Sequence, residues 1–134
     1  MIMATVSKFE DLVVWQLARK YADSIHKLTL TEKFSKEYKF KDQIKGSSGS
    51  VMDNIAEGFG RESRLEFINF LSIAKGSLYE SQSQLYRAFD YGLISKEILD
   101  SHYQEAEIIA AKIATFMIYL NKTIIKGKKF KERE

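Results

Sequence analysis

Apolar residues recur at steps of three and four almost throughout this chain, the spacing that places them on one face of an α-helix. The first such stretch predicts a helix over about residues 9–28, starting at Phe9 or Asp11, with Leu12, Trp15, Ala18, Tyr21 or Ala22, Ile25 and Leu28 on its inner face. Leu30 to Ser35 is polar and contains threonine, so it reads as a connection, and Ser35 is placed to cap the next helix by accepting from its free N–H groups. A second helix is predicted over about residues 36–57, with Phe40, Ile44, Ser47, Val51 and Ile55 (or its neighbour Asn54) as the stripe. Gly58 and Gly60 follow and are expected to stop it, as glycine does just past a helix C-terminus.

Ser63-Arg-Leu-Glu66 has the form of a capping box, in which the serine accepts from the backbone and the glutamate reaches back. It predicts a third helix over about residues 64–91, ending near Tyr91-Gly92, about 42 Å long at a rise of 1.5 Å per residue. Phe67, Leu71, Ala74, Leu78, Ser81, Leu85 and Ala88 form an unbroken series whose period lies near 3.5, which favours small crossing angles between neighbours. Ser95 is placed to cap a fourth helix over about residues 95–124, carrying Leu99, Ala106, Ala110 or Ile109, Ile113, Phe116 or Met117, Leu120 and Ile124. Short connections make successive helices antiparallel neighbours, so the pattern predicts an all-α, up-and-down four-helix bundle over residues 1–125. Residues 126–134 are too charged to pack and read as a basic, flexible tail.

Composition strengthens this reading. The 134 residues include no proline and seven glycines, so little punctuates the helices. One core fits this length and two do not. Cysteine is absent, which removes disulfides and thiolate metal sites and suits a reducing interior. The N-terminus lacks the basic start and long apolar run of a signal peptide, and no apolar run approaches the roughly 20 residues needed to cross a bilayer. The expectation is a cytoplasmic protein with no membrane partner.

Charge matters by its placement. Lys126 to Glu134 holds five Lys or Arg against two Glu, which accounts for the whole net charge of +3 and leaves residues 1–125 neutral. Within that neutral body Lys33 to Lys45 carries five lysines against Glu37 and Asp42. Phosphate neutralisation by Lys36, Lys39, Lys41, Lys45 and the tail residues Lys126, Lys128, Lys129 and Lys131 is the nucleic-acid reading of these segments. The plainer reading is a solvated face.

Catalysis finds little support. His26 and His102 are the only histidines, and neither lies in the paired Glu-x-x-His arrangement of a di-metal bundle. Asp23-x-x-His26 and His102-x-x-Glu105 run in opposite orders, and nothing resembles a nucleophile elbow. No cofactor, catalytic residue or metal ligand is assigned.

Several residues between the second and third helices ask for an explanation. Glu57 stands in a last helical turn, against the negative end of the macrodipole, and needs a compensating partner. Arg61, Arg64 or the N-terminus of the third helix could supply it. Asn54 lies one turn from Ser50 and Gly58, where an amide would specify register. Gly46-Ser-Ser-Gly-Ser50 is poor helix sequence whose value would be close approach of another backbone, with Gly76-Ser77 as its counterpart. Phe59, Phe70 and Ile73 fall off the main stripe, and Tyr79, Tyr86, Phe89 and Tyr91 add apolar surface around the third helix. A helix apolar on more than one face of a four-helix monomer points to self-association.

Phe9-Glu-Asp-Leu-Val-Val-Trp-Gln16, Ser50-Val-x-x-Asn-Ile-Ala-Glu-Gly58, Gly60-Arg61-x-Ser63, Glu66-Phe67 and Ala74-Lys-Gly-Ser-Leu-x-Glu80 together resemble the bacterial four-helix-bundle proteins of the 23S rRNA intervening sequence family. The resemblance runs from about Phe9 to Leu120. It implies a ring-like homopentamer, with no catalytic residues to carry over, and with genes that lie inside large-subunit rRNA insertions or stand alone. A related bundle is the accessory protein of diversity-generating retroelements, where a basic pentamer engages nucleic acid and a reverse transcriptase. The family signature maps onto Ser50, Asn54, Glu57, Gly58, Gly60, Arg61, Ser63, Gly76, Ser77 and Glu80. Before the signature serine, Lys45-Gly-Ser-Ser-Gly49 carries one positive charge where relatives often have basic and alanine residues, so weak rather than strong nucleic-acid binding is expected, RNA ahead of DNA. A bundle whose partner is another protein is the alternative, and a metal-binding bundle a distant one.

Overall fold

The computed structural model describes residues 6–125. Four long helices account for most of them: α1 (Val13–Leu28), α2 (Tyr38–Gly60), α3 (Arg64–Asp90) and α4 (Lys96–Ile125). A 3-10 turn, Phe9–Asp11, precedes α1, and a single helical turn, Glu32–Ser35, lies between α1 and α2. Each long helix packs on the next, and α4 returns to α1, which closes the four-helix bundle. No strand occurs among the described residues.

The inner faces follow the apolar periodicity. Ile25, Ile44, Val51, Ile55, Leu71, Ala74, Leu78, Leu85, Ala88, Ile113 and Leu120 are all fully buried. The core also holds one polar link. Ser81 Oγ donates to the Leu78 carbonyl at 2.7 Å, which leaves the Tyr21 hydroxyl to donate to Ser81 Oγ across 2.7 Å and tie α1 to α3. Burial is the main reason that the Tyr21 phenol is pushed up to about 12.

The connections depart from expectation in two places. Ser35 does not cap α2: its hydroxyl donates to the Glu32 carbonyl at 2.9 Å within the preceding turn, and Glu37 precedes α2 without a side-chain cap. The segment from Leu30 to Ser35 is no plain polar link either, because Phe34 is fully buried and stacks on Phe40 with centroids 5.5 Å apart. Elsewhere Ser63 Oγ accepts from the Glu66 N–H at 3.3 Å and Ser95 Oγ from the Ile98 N–H at 3.2 Å, each in the N-cap role. The reciprocal half of the capping box at Ser63 is absent, since the Glu66 carboxylate lies 3.8 Å from Arg61 instead.

The corner between α2 and α3 is turned differently from expectation. Gly58 lies within α2 and Gly60 is its last residue. The left-handed backbone conformation falls on Glu62, with φ of 60°. After α3 the expected glycine does take that conformation, Gly92 with φ of 75°.

Candidate functional site

The α2–α3 seam gathers most of the signature residues, because antiparallel packing sets Ser50 level with Ser77. Their hydroxyls lie 3.0 Å apart, and Asn54 Nδ2 donates to both the carbonyl and the Oγ of Ser50, each at 2.8 Å. One turn toward the other end, Ser47 donates to Gln84. A short ladder of hydroxyl and amide groups thus fixes the register of the two helices.

Gly58 is placed by contact. A Cβ there would sit 2.5 Å from Phe70 Cβ and 3.0 Å from the Phe67 ring, so any larger residue would force the helices apart. Glu57 finds its partner in Arg61, one turn on, at 3.1 Å. Neither Arg64 nor the start of α3 serves. Arg61 also lies over the Phe70 ring at 5.0 Å and so covers it. Both members of the Glu57–Arg61 pair are about half exposed, and its worth is a few tenths of a kcal/mol.

The remaining seam residues face outward. Ile73 is 52% exposed. Gly46, Gly49, Gly60 and Gly76 have open space where a Cβ would lie, so packing within the protomer does not require them to be glycine. Glu80 is exposed and makes no ion pair among the described residues. Phe59 leaves the seam: its ring meets Phe67 edge-on at 5.9 Å, in an aromatic row that continues to Phe116 at 5.5 Å from Phe67. Of the three side chains expected at an interface, Ile73 is therefore open, Phe70 is half covered, and Phe59 belongs to the end of the core.

The basic residues of the second segment stand at the opposite end of α2 from this corner. Lys36, Lys39 and Lys45 are exposed and form no ion pair among the described residues. Lys41 places its Nζ 5.4 Å from the centroid of the Tyr38 ring and donates to the Ser35 carbonyl at 3.4 Å. Lys126, Lys128, Lys129 and Lys131 lie outside the described residues. Ile125, the last described residue, ends the 30-residue α4 at the opposite end of the bundle from Lys36 and Lys39.

Arg87 and Tyr38 belong to the basic end and carried no functional signal in the sequence reading. Arg87, on α3, lies 4.6 Å from the Phe40 centroid and 5.7 Å from that of Tyr91. Its i, i+4 spacing from Tyr91 was the visible clue.

A third surface lies between α3 and α4. Tyr79 and Tyr86 are half exposed, Tyr86 meets Tyr103 edge-on at 5.6 Å, and Gln82 Nε2 bridges to Glu107 at 3.0 Å and to the Tyr103 carbonyl at 3.2 Å. Desolvation, then the nearby Glu107, Tyr86 and Tyr79, hold the Tyr103 phenol above its ordinary range. On the α1 side of α4, burial raises the Glu105 carboxyl, opposed by His102 and Lys20. His102 Nδ1 is 2.9 Å from the Ile98 carbonyl, while His26 is exposed. Among the described residues no cluster of three or more His, Cys, Asp or Glu side chains could hold a metal ion. No helix among the described residues is long and apolar enough to cross a membrane.

The family model for the 23S rRNA-intervening sequence protein matches residues 10–115. The chain belongs to that family. A solved structure from Bacteroides thetaiotaomicron, a protein of unknown function from the S23 ribosomal protein family, superposes with a TM-score of 0.72 at 27% identity, covering 78% of this chain and 98% of that one. No curated protein matches the chain significantly. Membership fixes the bundle and, through the matched span, includes the whole seam from Ser50 to Glu80.

Proposed function

We propose that this member of the intervening-sequence family is a non-enzymatic, cytoplasmic, homo-oligomeric bundle, assembled as a pentameric ring, that acts as an adaptor with weak affinity for nucleic acid, RNA ahead of DNA. The observation that carries the binding role is the lysine-rich start of α2. Lys36, Lys39 and Lys45 are exposed there and make no ion pair among the described residues, and with Lys33 and Lys41 they outnumber Glu37 and Asp42. One local excess of this size attracts phosphate weakly, and five copies on one ring face would focus the field.

Self-association is supported by the outward α2–α3 seam. Glycine inside a helix costs about 0.5–1 kcal/mol against alanine, and nothing within the protomer offsets that at Gly46, Gly49 or Gly76. Close approach of a second backbone beside the open Ile73 would. Light scattering is expected to give a mass near five times the 15.5 kDa of one chain at micromolar concentration; a monomer mass would overturn the ring. Structured RNA is expected to be retained at about 50 mM salt and released as salt rises, since released counterions drive binding. No retention at that salt would remove the nucleic-acid role.

The Tyr79, Tyr86 and Tyr103 surface favours a second reading, in which the partner is another protein, because tyrosines supply large, rigid contact area at interfaces. Capture of a specific protein partner by a ring that retains no nucleic acid would select it.

A further inference from the structure

We infer that the basic end of the bundle is a stacking platform for single-stranded nucleic acid, with Tyr38 and Tyr91 as the base-contacting residues and Lys36, Lys39, Lys45 and Arg87 as the phosphate contacts; this rests on the nucleic-acid reading above and narrows it to one strand form.

The inference begins with two large aromatic rings that the core does not bury. Tyr38 is 70% exposed and Tyr91 is 55% exposed. Each sits beside a cation. Lys41 Nζ lies over the Tyr38 ring, and the Arg87 guanidinium lies against both Tyr91 and the buried Phe40. Phe40 in turn stacks on Phe34 and sits 5.6 Å from Tyr91, so the Tyr91 ring is backed by core. Neither phenol hydroxyl makes a hydrogen bond among the described residues. The rings are therefore braced from one side and open on the other.

Their placement suits a strand that crosses α2. Successive helical residues are about 100° apart, so Tyr38 and Phe40 project to opposite sides of the helix. Phe40 turns inward toward Tyr91, which leaves Tyr38 on one flank of the first turn of α2 and Tyr91 on the other. Lys36 just precedes α2, Lys39 lies in its first turn and Lys45 about two turns beyond Tyr38, all exposed, with Glu37 and Asp42 exposed among them. Aromatic faces interleaved with unpaired cations recognise bases that have left a helical stack, because a free base has a π-face to offer and its phosphate lies just across the sugar. A duplex buries those faces and would leave both tyrosines idle.

The test uses the full chain and fluorescence anisotropy with dye-labelled oligonucleotides of mixed sequence, about twelve nucleotides long, single-stranded or annealed, at about 50 mM salt. The single strand is expected to bind at least about 10-fold more tightly than the duplex. Tyr38→Ala is expected to weaken single-strand binding by about 5–100-fold and to leave duplex binding unchanged, the range that follows from one lost stack. Tyr38→Phe should bind as the parent does, because the stack needs the ring and not the hydroxyl. Tyr91→Ala should act in the same direction, and Tyr91→Leu covers the case in which the alanine variant loosens Phe40; Tyr38, being exposed, carries no such risk. Replacing Lys36, Lys39 and Lys45 together by Gln should flatten the log–log salt dependence for the single strand by about 2, at about 0.7 per phosphate contact. Equal affinity for the two forms, with Tyr38→Ala without effect, would overturn the stacking site while leaving the electrostatic reading in place. Failure of both forms to bind would overturn both.

Discussion

Single residues at the α2–α3 corner show how the same amino acid serves different ends. Gly58 is required by contact, since its missing Cβ is what lets Phe70 and Phe67 close on α2. Gly58→Ala is expected to lower stability by about 1–3 kcal/mol, the usual cost of overpacking, read as a shift in the urea midpoint at constant slope. Gly76 has open space around it and should respond in the opposite sense. Gly76→Ala is expected to raise protomer stability by about 0.5–1 kcal/mol through helix propensity, while weakening the assembly in light scattering if a second backbone seats there. Glu62 holds a left-handed conformation that costs a non-glycine residue about 1–2 kcal/mol. Glu62→Gly should therefore raise the thermal midpoint modestly, glycine's greater chain entropy offsetting part of the gain. Glu105 gives a pH-dependent case. Burial, opposed by His102 and Lys20, raises its folded pKa, so the folded state holds that proton more tightly than the unfolded chain does. The sign follows: its contribution favours folding at acid pH and is lost as pH rises through the raised value. Glu105→Gln is expected to be more stable than the parent at pH 7, with the difference shrinking toward pH 4 in urea titrations.

At the scale of elements, α3 was legible almost residue by residue, and the reason is physical. Phe67, Leu71, Ala74, Leu78, Ser81, Leu85 and Ala88 form one stripe at alternating steps of four and three, and Ser63 offers a cap that local chemistry alone can recognise. Ser63→Ala should cost about 0.5–2 kcal/mol. The start of α2 was misread because nothing local marks it. Glu37 caps without its side chain, and Phe34 is drawn into the core by a stack on Phe40 six residues away. That is tertiary packing, which a polar-looking connection conceals. The site divides in the same way. Ser50, Asn54 and Gly58 could be placed on the seam from helical spacing, and so could the bond from Asn54 to Ser50 one turn back, whereas Ser50 and Gly58 meet their other partners, Ser77 and Phe70, on α3, and Arg87 reaches Phe40 on α2 through a contact that spacing within α3 does not reveal. The pairing of Glu57 with Arg61 was one of three open choices, decided by the helix continuing through Gly58 so that the two stand one turn apart.

For the whole molecule, the gathering of Lys36, Lys39 and Lys45 around the start of α2 sets what one protomer can do alone. On the proposed role, holding one nucleic acid at several such lysine groups at once takes more than one copy of the chain, so avidity belongs to the assembly. Ile73→Arg tests that directly: it is expected to leave the folded protomer intact, because the side chain is already half exposed, while reducing the scattering mass and with it the apparent affinity for RNA. The unequal helix lengths have a consequence of another kind. Tyr21 faces Glu105, so α1, with 16 residues, begins about level with Ile113, and the last 12 residues of α4 run on beyond it. Ahead of α1, the Phe9–Asp11 turn packs on α1 and α2, with Leu12 in the core and Phe9 against it. In native-state hydrogen exchange this end should open as a separate cooperative unit, its amides from about Thr115 onward exchanging well before those around Tyr21 and Ser81. Such a result would give the bundle a firm waist, tied by Tyr21 and Ser81, and one end that yields first.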